Sequence, residues 1–263
     1  MADAEESRDI PVFRGEKWYV STSYYTGGVA LTLVLWWLVS LLLPAGFQGF
    51  GPISTFESLS AIAQTEHFQL SVVESLKRLL GGLGIAAVLG IPLGIAIGYF
   101  KRVNELSYVT FQFLRMTSPL SWMPIAVILF GVGAGPVYFL IAVAAVWPMI
   151  INTAHGVRKV DRAWIKVART LGADEVRVIL RVVIPAVLPD ILSGLRVALG
   201  VAWIVIVPAE MLGVASGLGY LILDYRDIVD YASVMAVILT IGFLGYTTDQ
   251  ALRILINKVS WAT

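Results

Sequence analysis

The sequence contains no cysteine and little charge. Among its 263 residues there are only two His, and Asp, Glu, Lys and Arg together make up 14%. The lack of cysteine excludes disulfides and thiolate metal sites, and two histidines are too few for a histidine-based metal centre. Soluble domains carry about 25% charged residues. The shortage of charge therefore argues against a water-soluble globular protein.

The charge that is present is balanced, and the rest of the chain is strongly apolar. Nineteen Lys and Arg against eighteen Asp and Glu give a net charge of +1, which disfavours a nucleic-acid-binding protein. Hydrophobic residues make up 58% and the mean hydropathy is +0.81. A bilayer core of ~30 Å needs about 20 apolar residues per crossing. These figures predict an all-α, polytopic membrane protein.

Apolar runs in the chain predict about six transmembrane helices. The runs cover residues 27–43, 71–100, 106–130, 136–151, 191–212 and 232–256. The third run contains Pro119 and Pro124, and we expect it to be broken near Ser118–Ser121. Residues 45–69 and 213–231 are predicted as excursions on the opposite side from the basic loops.

The distribution of Lys and Arg predicts the orientation. Basic residues concentrate in the N-terminal segment, in the loop after the second run, in residues 153–189 and at the C-terminus, whereas the other side carries only Arg226. Cytosolic loops are enriched in Lys and Arg. We therefore expect residues 1–26 to form a cytosolic tail, residues 27–263 to form the transmembrane domain, and both termini to lie in the cytosol.

A long basic loop, about residues 153–189, separates the fourth and fifth runs. Its apolar residues recur at helical spacing on both sides of Gly172, which predicts two short helices, and Asp174 is suited to begin the second. Ile184-Pro185 and Leu188-Pro189 are expected to end or kink that second helix. The shape suits docking on a soluble partner. The alternative is a basic loop that only enforces topology.

This loop resembles the coupling-helix ("EAA") loop of ABC-importer permeases. That pattern is Glu-Ala-Ala, three residues, Gly, nine residues and a hydrophobic-x-Leu-Pro end, and the chain matches its spacing with Ala168, Gly172 and Val182-Val183-Ile184-Pro185. Lys166 replaces the Glu, Val167 replaces the first Ala, and Ile184 replaces the Leu. The resemblance implies that the following residues couple to an ATPase: Lys166, Ala168, Arg169, Thr170, Leu171, Gly172, Ala173 and Asp174.

Further motifs extend the resemblance over residues 70–255, to the nitrate/sulfonate/taurine/bicarbonate branch of these permeases. They are Gly90-Ile91-Pro92-Leu93-Gly94, Leu114-Arg115, Pro119-Leu120-Ser121-Trp122-Met123-Pro124, Phe130-Gly131-Val132-Gly133, Gly194-Leu195-Arg196, Ala209-Glu210-Met211 and Ser216-Gly217-Leu218-Gly219-Tyr220. The resemblance implies the type I ABC importer permease fold and import of a small anion by alternating access across the bacterial inner membrane.

The same resemblance implies the partners. They are ATP-binding cassette ATPase subunits, a periplasmic or extracellular substrate-binding protein, a second copy of the permease and membrane lipid, but no nucleic acid. The chain has no Walker-type Gly-rich loop with Lys-Ser/Thr. We therefore expect a non-catalytic subunit that binds no cofactor and no metal, with ATP and Mg²⁺ held by the ATPase subunits.

Polar side chains within the runs are candidates for the translocation path. They are Arg78, Arg115, Ser118, Ser121 and Glu210. Arg78 either reaches the interface or attracts an anion. Arg115 either binds an oxyanion through two hydrogen bonds or holds backbone carbonyls freed at the break. Glu210 is either a structural partner or a substrate contact, and Arg196 is expected to pair with carbonyls or a lipid phosphate.

Small residues recur along the second run. The glycines in this pattern are Gly82, Gly90, Gly94 and Gly98. Such a face allows close helix packing, either as plain packing or as a surface that slides or dimerises during transport. A competing function is a secondary transporter or channel independent of an ATPase. That class often contains inverted repeats, and no convincing repeat is present here.

Overall fold

The computed structural model describes residues 18–42, 44 and 49–260. These residues form helices and connecting turns, and no strand occurs among them. Residues 1–17 of the expected cytosolic tail lie outside the described residues, and residues 18–26 form the first part of a helix. The α-helices are α1 (Trp18–Leu42), α2 (Pro52–Ile62), α3 (Glu66–Tyr99), α4 (Lys101–Met116), α5 (Met123–Phe130), α6 (Ala134–Lys159), α7 (Arg162–Thr170), α8 (Glu175–Val178), α9 (Ile184–Gly213), α10 (Leu218–Asp227) and α11 (Tyr231–Ser260).

Four helices are long and apolar enough to cross a membrane. They are α3, α6, the continuous helix Glu175–Gly213 and α11, and the pair formed by α4 and Pro119–Phe130 adds a fifth when it is taken as one broken span. A shorter apolar helix covers Thr26–Leu41 in α1. The described residues thus contain an apolar element for each of the six predicted runs, but only four unbroken helices of spanning length.

The predicted break in the third run is confirmed. Helix α4 ends at Met116, Thr117 and Ser118 are extended, and a short 3₁₀ helix begins at Pro119. A proline disfavours helical backbone in the residue before it, which explains why Ser118 is extended. The two parts of the broken span meet at 92°.

The predicted end of the helix at Pro185 or Pro189 is wrong, whereas the alternative, a kink there, stays a prediction. One helix of 39 residues runs from Glu175 through α8 and α9 to Gly213. A π turn covers Ile179–Val183, in which the Ile184 N–H bonds to the Ile179 carbonyl. This wider turn accommodates the proline ring and its missing N–H. Residues 160–174, which include α7, therefore connect α6 to this 39-residue helix.

The two predicted excursions also contain helices. Helix α2 lies within the segment expected to be a loop, and α3 begins at Glu66, where the Thr65 hydroxyl accepts a hydrogen bond from the Phe68 N–H. Helix α10 occupies the second excursion. Buried apolar residues of α2, α3, α10 and α11 form one cluster: Ile62, Phe68, Leu218, Leu221, Ala236 and Val237.

The main core lies along α6, which packs between α3 and α9. The glycines of α3 permit this contact, because a Cβ at any of four positions would lie 2.6 Å from a side-chain Cβ of α6. The pairs are Gly82 with Ile141, Gly90 with Met149, Gly94 with Thr153, and Gly98 with Val157. The small-residue face is thus covered by α6 of the same chain, and the backbones approach as closely as glycine allows.

Candidate functional site: coupling helix and membrane path

The predicted coupling segment contains a short helix with a cap at each end. The Asp161 carboxylate accepts a 2.8 Å hydrogen bond from the Ala163 N–H at the start of α7. After α7 the chain turns at Gly172, whose φ of +82° lies in the left-handed region that glycine adopts without strain. The Asp174 carboxylate then accepts a hydrogen bond from the Arg177 N–H and begins α8.

Helix α7 presents apolar residues on two faces. Ile165 and Ala168 are half-buried and pack against the main core. Trp164, Val167 and Leu171 are exposed, with 82% of Leu171 accessible. These three side chains line a groove whose other wall is the start of α9, with Val182, Pro185 and Pro189. Exposed contiguous apolar surface of this kind marks interaction sites.

A hydrogen-bonded cluster joins α7 to two other helices. Arg169 Nη2 donates to Glu175 Oε1 at 2.7 Å and to the Tyr99 hydroxyl at 3.1 Å, and Tyr99 in turn donates to Glu175 Oε2 at 2.6 Å. The hydrogen bond with Tyr99 and the nearby charge of Glu175 raise the pKa of Arg169 above its ordinary value. The cluster thereby links α7 to the end of α3 and to the start of α8. Sequence reasoning did not identify Tyr99 or Glu175.

The other predicted coupling residues share this segment. Lys166, Thr170 and Asp174 are exposed, and Ala173 is half-buried. The Ala173 N–H bonds to the Ala168 carbonyl at 3.0 Å, which closes the turn after α7.

Arg78 and Glu210 form a buried ion pair. Arg78 is 3% exposed and Glu210 is fully buried. Arg78 Nη1 lies 2.8 Å from Glu210 Oε1 and also donates to the Ser216 carbonyl. The Ser75 hydroxyl and the Gly219 N–H donate to the same carboxylate, at 2.8 Å and 3.0 Å. These groups, here called the buried Arg78–Glu210 cluster, join α3, α9 and the start of α10.

The close packing around this cluster explains why the Ser216–Tyr220 motif contains two glycines. Gly217 has φ +100°, and a Cβ there would collide with the Glu210 carboxylate. A Cβ at Gly219 would collide with the Val207 carbonyl. The motif that resembles a family signature is therefore the backbone turn that closes over a buried carboxylate.

The buried cluster does not contain the other three candidates for the translocation path, Arg115, Ser118 and Ser121. All three are exposed at or beside the break after α4. The Arg115 guanidinium donates only a 3.2 Å hydrogen bond, to the neutral Gln112 amide, among the contacts in the described part of the chain. It lines a cleft between α4 and α6 together with Asn104, Ser107, His155 and Arg158.

A second cross-helix ion pair lies between α9 and α11. Arg196 Nε and Nη2 donate to the two carboxylate oxygens of Asp249, both at 2.7 Å. Beside it, the Trp203 indole N–H donates to the Thr248 hydroxyl at 3.0 Å. The Arg196 partner is thus a carboxylate, which corrects the expected pairing with carbonyls or a lipid phosphate.

The chain is similar in sequence to known proteins. Residues 90–261 match the family described as "Binding-protein-dependent transport system inner membrane component". The chain is 38% identical to the bicarbonate transport system permease protein CmpB of Synechococcus elongatus over 68% of this chain and 64% of that protein. It is 31% identical to the taurine transport system permease protein TauC of Escherichia coli over 89% and 87%.

A solved structure has the same fold. The MetNI methionine ABC transporter in inward-facing conformations matches with a TM-score of 0.65 and 18% identity, over 73% of this chain and 96% of the matched chain. The matched family segment contains α6, α7, the 39-residue helix and α11 in order. The chain therefore belongs to the family of binding-protein-dependent transport system inner membrane components, and it has the fold of type I ABC importer permeases.

Proposed function

We propose that this chain forms the translocation path for a small anion such as nitrate, bicarbonate or a taurine-like sulfonate. It works with ATPase subunits that hold ATP and Mg²⁺, an external substrate-binding protein and a second permease copy, and it binds no cofactor itself. Both termini and α7 lie on the cytosolic side, where basic residues concentrate.

The observation that carries this proposal is the exposed apolar face of α7 on a rigidly held turn. Trp164, Val167 and Leu171 are accessible, whereas the opposite face packs on the core. The Tyr99–Arg169–Glu175 cluster fixes α7 to α3 and to the 39-residue helix. A push on α7 therefore moves these helices together, and alternating access follows when each state is stabilised by different contacts.

The buried Arg78–Glu210 cluster serves a structural role at the outer ends of α3 and α9. Its guanidinium and carboxylate are enclosed within one chain and hydrogen-bonded to each other and to the turn before α10. Removing one partner of such a pair leaves a buried charge uncompensated. The cluster therefore keeps α3, α9 and α10 together while the helices move as a unit.

The preference for an anion is supported by the cleft between α4 and α6. Arg115 and Arg158 both line it, and the hydrogen bonds described for their guanidinium groups go to neutral amides. Arg115 lies within the predicted third span, where an arginine is costly unless it serves an ion or substrate, and Arg158 lies in the last turn of α6. The relatives named for bicarbonate and for taurine differ in their anionic group, so the choice among small anions is left to measurement.

Reconstitution tests the proposal. The permease is incorporated into proteoliposomes with its ATPase subunits and binding protein, and uptake of labelled nitrate, bicarbonate and taurine is followed with and without ATP. We expect ATP-dependent uptake of one anion, and loss of coupled ATP hydrolysis when Leu171 is replaced by Asp. A substitution at an exposed apolar side chain away from α7, Leu106→Ala, is the control. Uptake by the lone chain, driven by an ion gradient, would instead support a secondary transporter.

A further inference from the structure

An ion pair between α9 and α11 reproduces the geometry of a bound oxyanion. Arg196 presents Nε and Nη2 to the two oxygens of Asp249, with both distances 2.7 Å. Two parallel charge-assisted hydrogen bonds are the arrangement in which a guanidinium binds a carboxylate or a similar oxyanion. The Asp249 carboxylate thus occupies the place that two oxygens of nitrate, bicarbonate or a sulfonate would take.

The pair lies near the cytosolic ends of the spans. At about 1.5 Å per residue, Arg196 is roughly 26 Å before the end of α9 at Gly213. Asp249 is roughly 27 Å beyond the start of α11 at Tyr231 by the same rise. A bilayer core is ~30 Å thick. The two charges therefore sit beyond the middle of the membrane, on the side where an imported solute leaves.

The pair is also open on one side. The side chains of Arg196 and Asp249 are 45% and 34% exposed, in contrast to the enclosed Arg78 and Glu210. Ser193 and Gly200, about one turn to either side of Arg196, are exposed as well. A Cβ at Gly200 would meet no atom within 4 Å in the described part of the chain. Within the described part of the chain, this face of α9 therefore leaves the guanidinium uncovered.

We propose that Arg196 binds the transported anion in the cytosolic half of the path and that Asp249 is its built-in competitor. The arriving anion displaces the Asp249 carboxylate from the guanidinium, and the carboxylate returns as the anion leaves. An arginine without a carboxylate partner would hold an anion more tightly, and conduction requires sites weak enough to release. This inference rests on the proposed import of an anion.

Equilibrium binding and import together test the inference. The complex of permease and ATPase subunits is purified, and binding of sodium nitrate, sodium bicarbonate and taurine is measured by calorimetry without nucleotide. The variants are R196Q, R196K, D249N and the double variant R196Q/D249N. The matched control is D190N, which breaks the Lys159–Asp190 pair between α6 and α9, a single 3.1 Å contact.

We expect D249N and R196Q to act in opposite directions. D249N should bind the anion about tenfold more tightly, because its competitor for the charge-assisted hydrogen bonds is gone. It should also import more slowly, since release is delayed. R196Q should bind about tenfold more weakly, R196K should fall between R196Q and the wild type, and D190N should retain the wild-type affinity. A gain in affinity cannot arise from misfolding, so D249N remains informative even where R196Q assembles poorly.

Three outcomes would overturn the inference. If R196Q and D249N both weaken binding and the double variant restores it, the pair only joins two helices. If the wild type imports an anion and R196Q imports it equally well, Arg196 does not touch the solute, although the proposed function stands. A wild-type complex that neither binds nor imports any of the three anions overturns the proposed function as well.

Discussion

The substitution Glu210→Gln should destabilise the chain strongly. Glu210 is fully buried and accepts hydrogen bonds from Arg78, Ser75 and the Gly219 N–H. A glutamine has the same shape but no charge, so the Arg78 guanidinium would remain buried with only Glu74 nearby, at 3.6 Å. Removing one partner of a buried ion pair costs about 3–5 kcal/mol. We expect a loss of that size in the free energy of unfolding, measured by SDS titration of the purified permease in lipid–detergent micelles.

The matched control is Glu105→Gln, which removes an exposed carboxylate 3.6 Å from Lys101. Exposed ion pairs contribute about 0–1 kcal/mol, so this variant should unfold like the wild type. The double variant R78Q/E210Q should recover much of the loss, because no isolated charge is left buried. A Glu210→Gln protein as stable as the Glu105→Gln control would refute the structural role assigned to this cluster.

Three further substitutions test other contacts. Gly94→Val should lower the free energy of unfolding by about 1–3 kcal/mol, because its Cβ would lie 2.6 Å from the Thr153 Cβ. The control Gly84→Ala, whose Cβ would meet no described atom within 4 Å, should leave that free energy unchanged. Thermal unfolding of both variants measures the difference. Gly172→Ala places a side chain on a residue with φ +82°, which should lower the free energy of unfolding by about 1 kcal/mol. The same variant should import less anion per ATP hydrolysed. Tyr99→Phe removes the hydroxyl that joins α3 to α7 and should raise uncoupled ATP hydrolysis while leaving complex assembly intact on size-exclusion chromatography.

Features that depend on local sequence were predictable. The lengths of the apolar runs predicted the long helices. Pro119 predicted the break, because the residue before a proline avoids helical backbone. The turn at Gly172 was predicted from a glycine between two segments with helical periodicity, and in the structure this glycine has a left-handed backbone conformation. Each of these signals acts over a few residues, so no knowledge of the three-dimensional arrangement was needed.

Features that depend on distant partners were not predictable. Arg78 and Glu210 are 132 positions apart, and Arg196 and Asp249 are 53 apart. Nothing in their spacing indicates that these charges meet. The passage of one helix through Pro185 was also missed, because the π turn that accommodates it leaves no compositional signal. Each of these features appears only once the helices are packed.

Movement between α9 and α11 can be tested by a crosslink, since the chain contains no native cysteine. Helix α11 is the least buried of the four long spans, and a Cβ at Gly245 would lie 3.8 Å from the Trp203 side chain. By contrast, α3 packs on α6 through glycines that leave no space between them. We therefore expect motion during import to open the α9–α11 contact before the α3–α6 contact.

The double variant Trp203→Cys/Gly245→Cys places two thiols across that contact, where a Cβ at Gly245 would lie 3.8 Å from the Trp203 Cγ. A disulfide forms where the two Cβ atoms are about 3.5–4.5 Å apart. Oxidation should stop anion uptake in proteoliposomes while the ATPase subunits stay bound, and reduction should restore uptake in the same sample. The reduced protein is the control for loss of the Trp203 indole and its hydrogen bond to Thr248. Equal uptake before and after oxidation, with the crosslink verified by gel mobility, would mean that α9 and α11 move together and that the release step opens elsewhere.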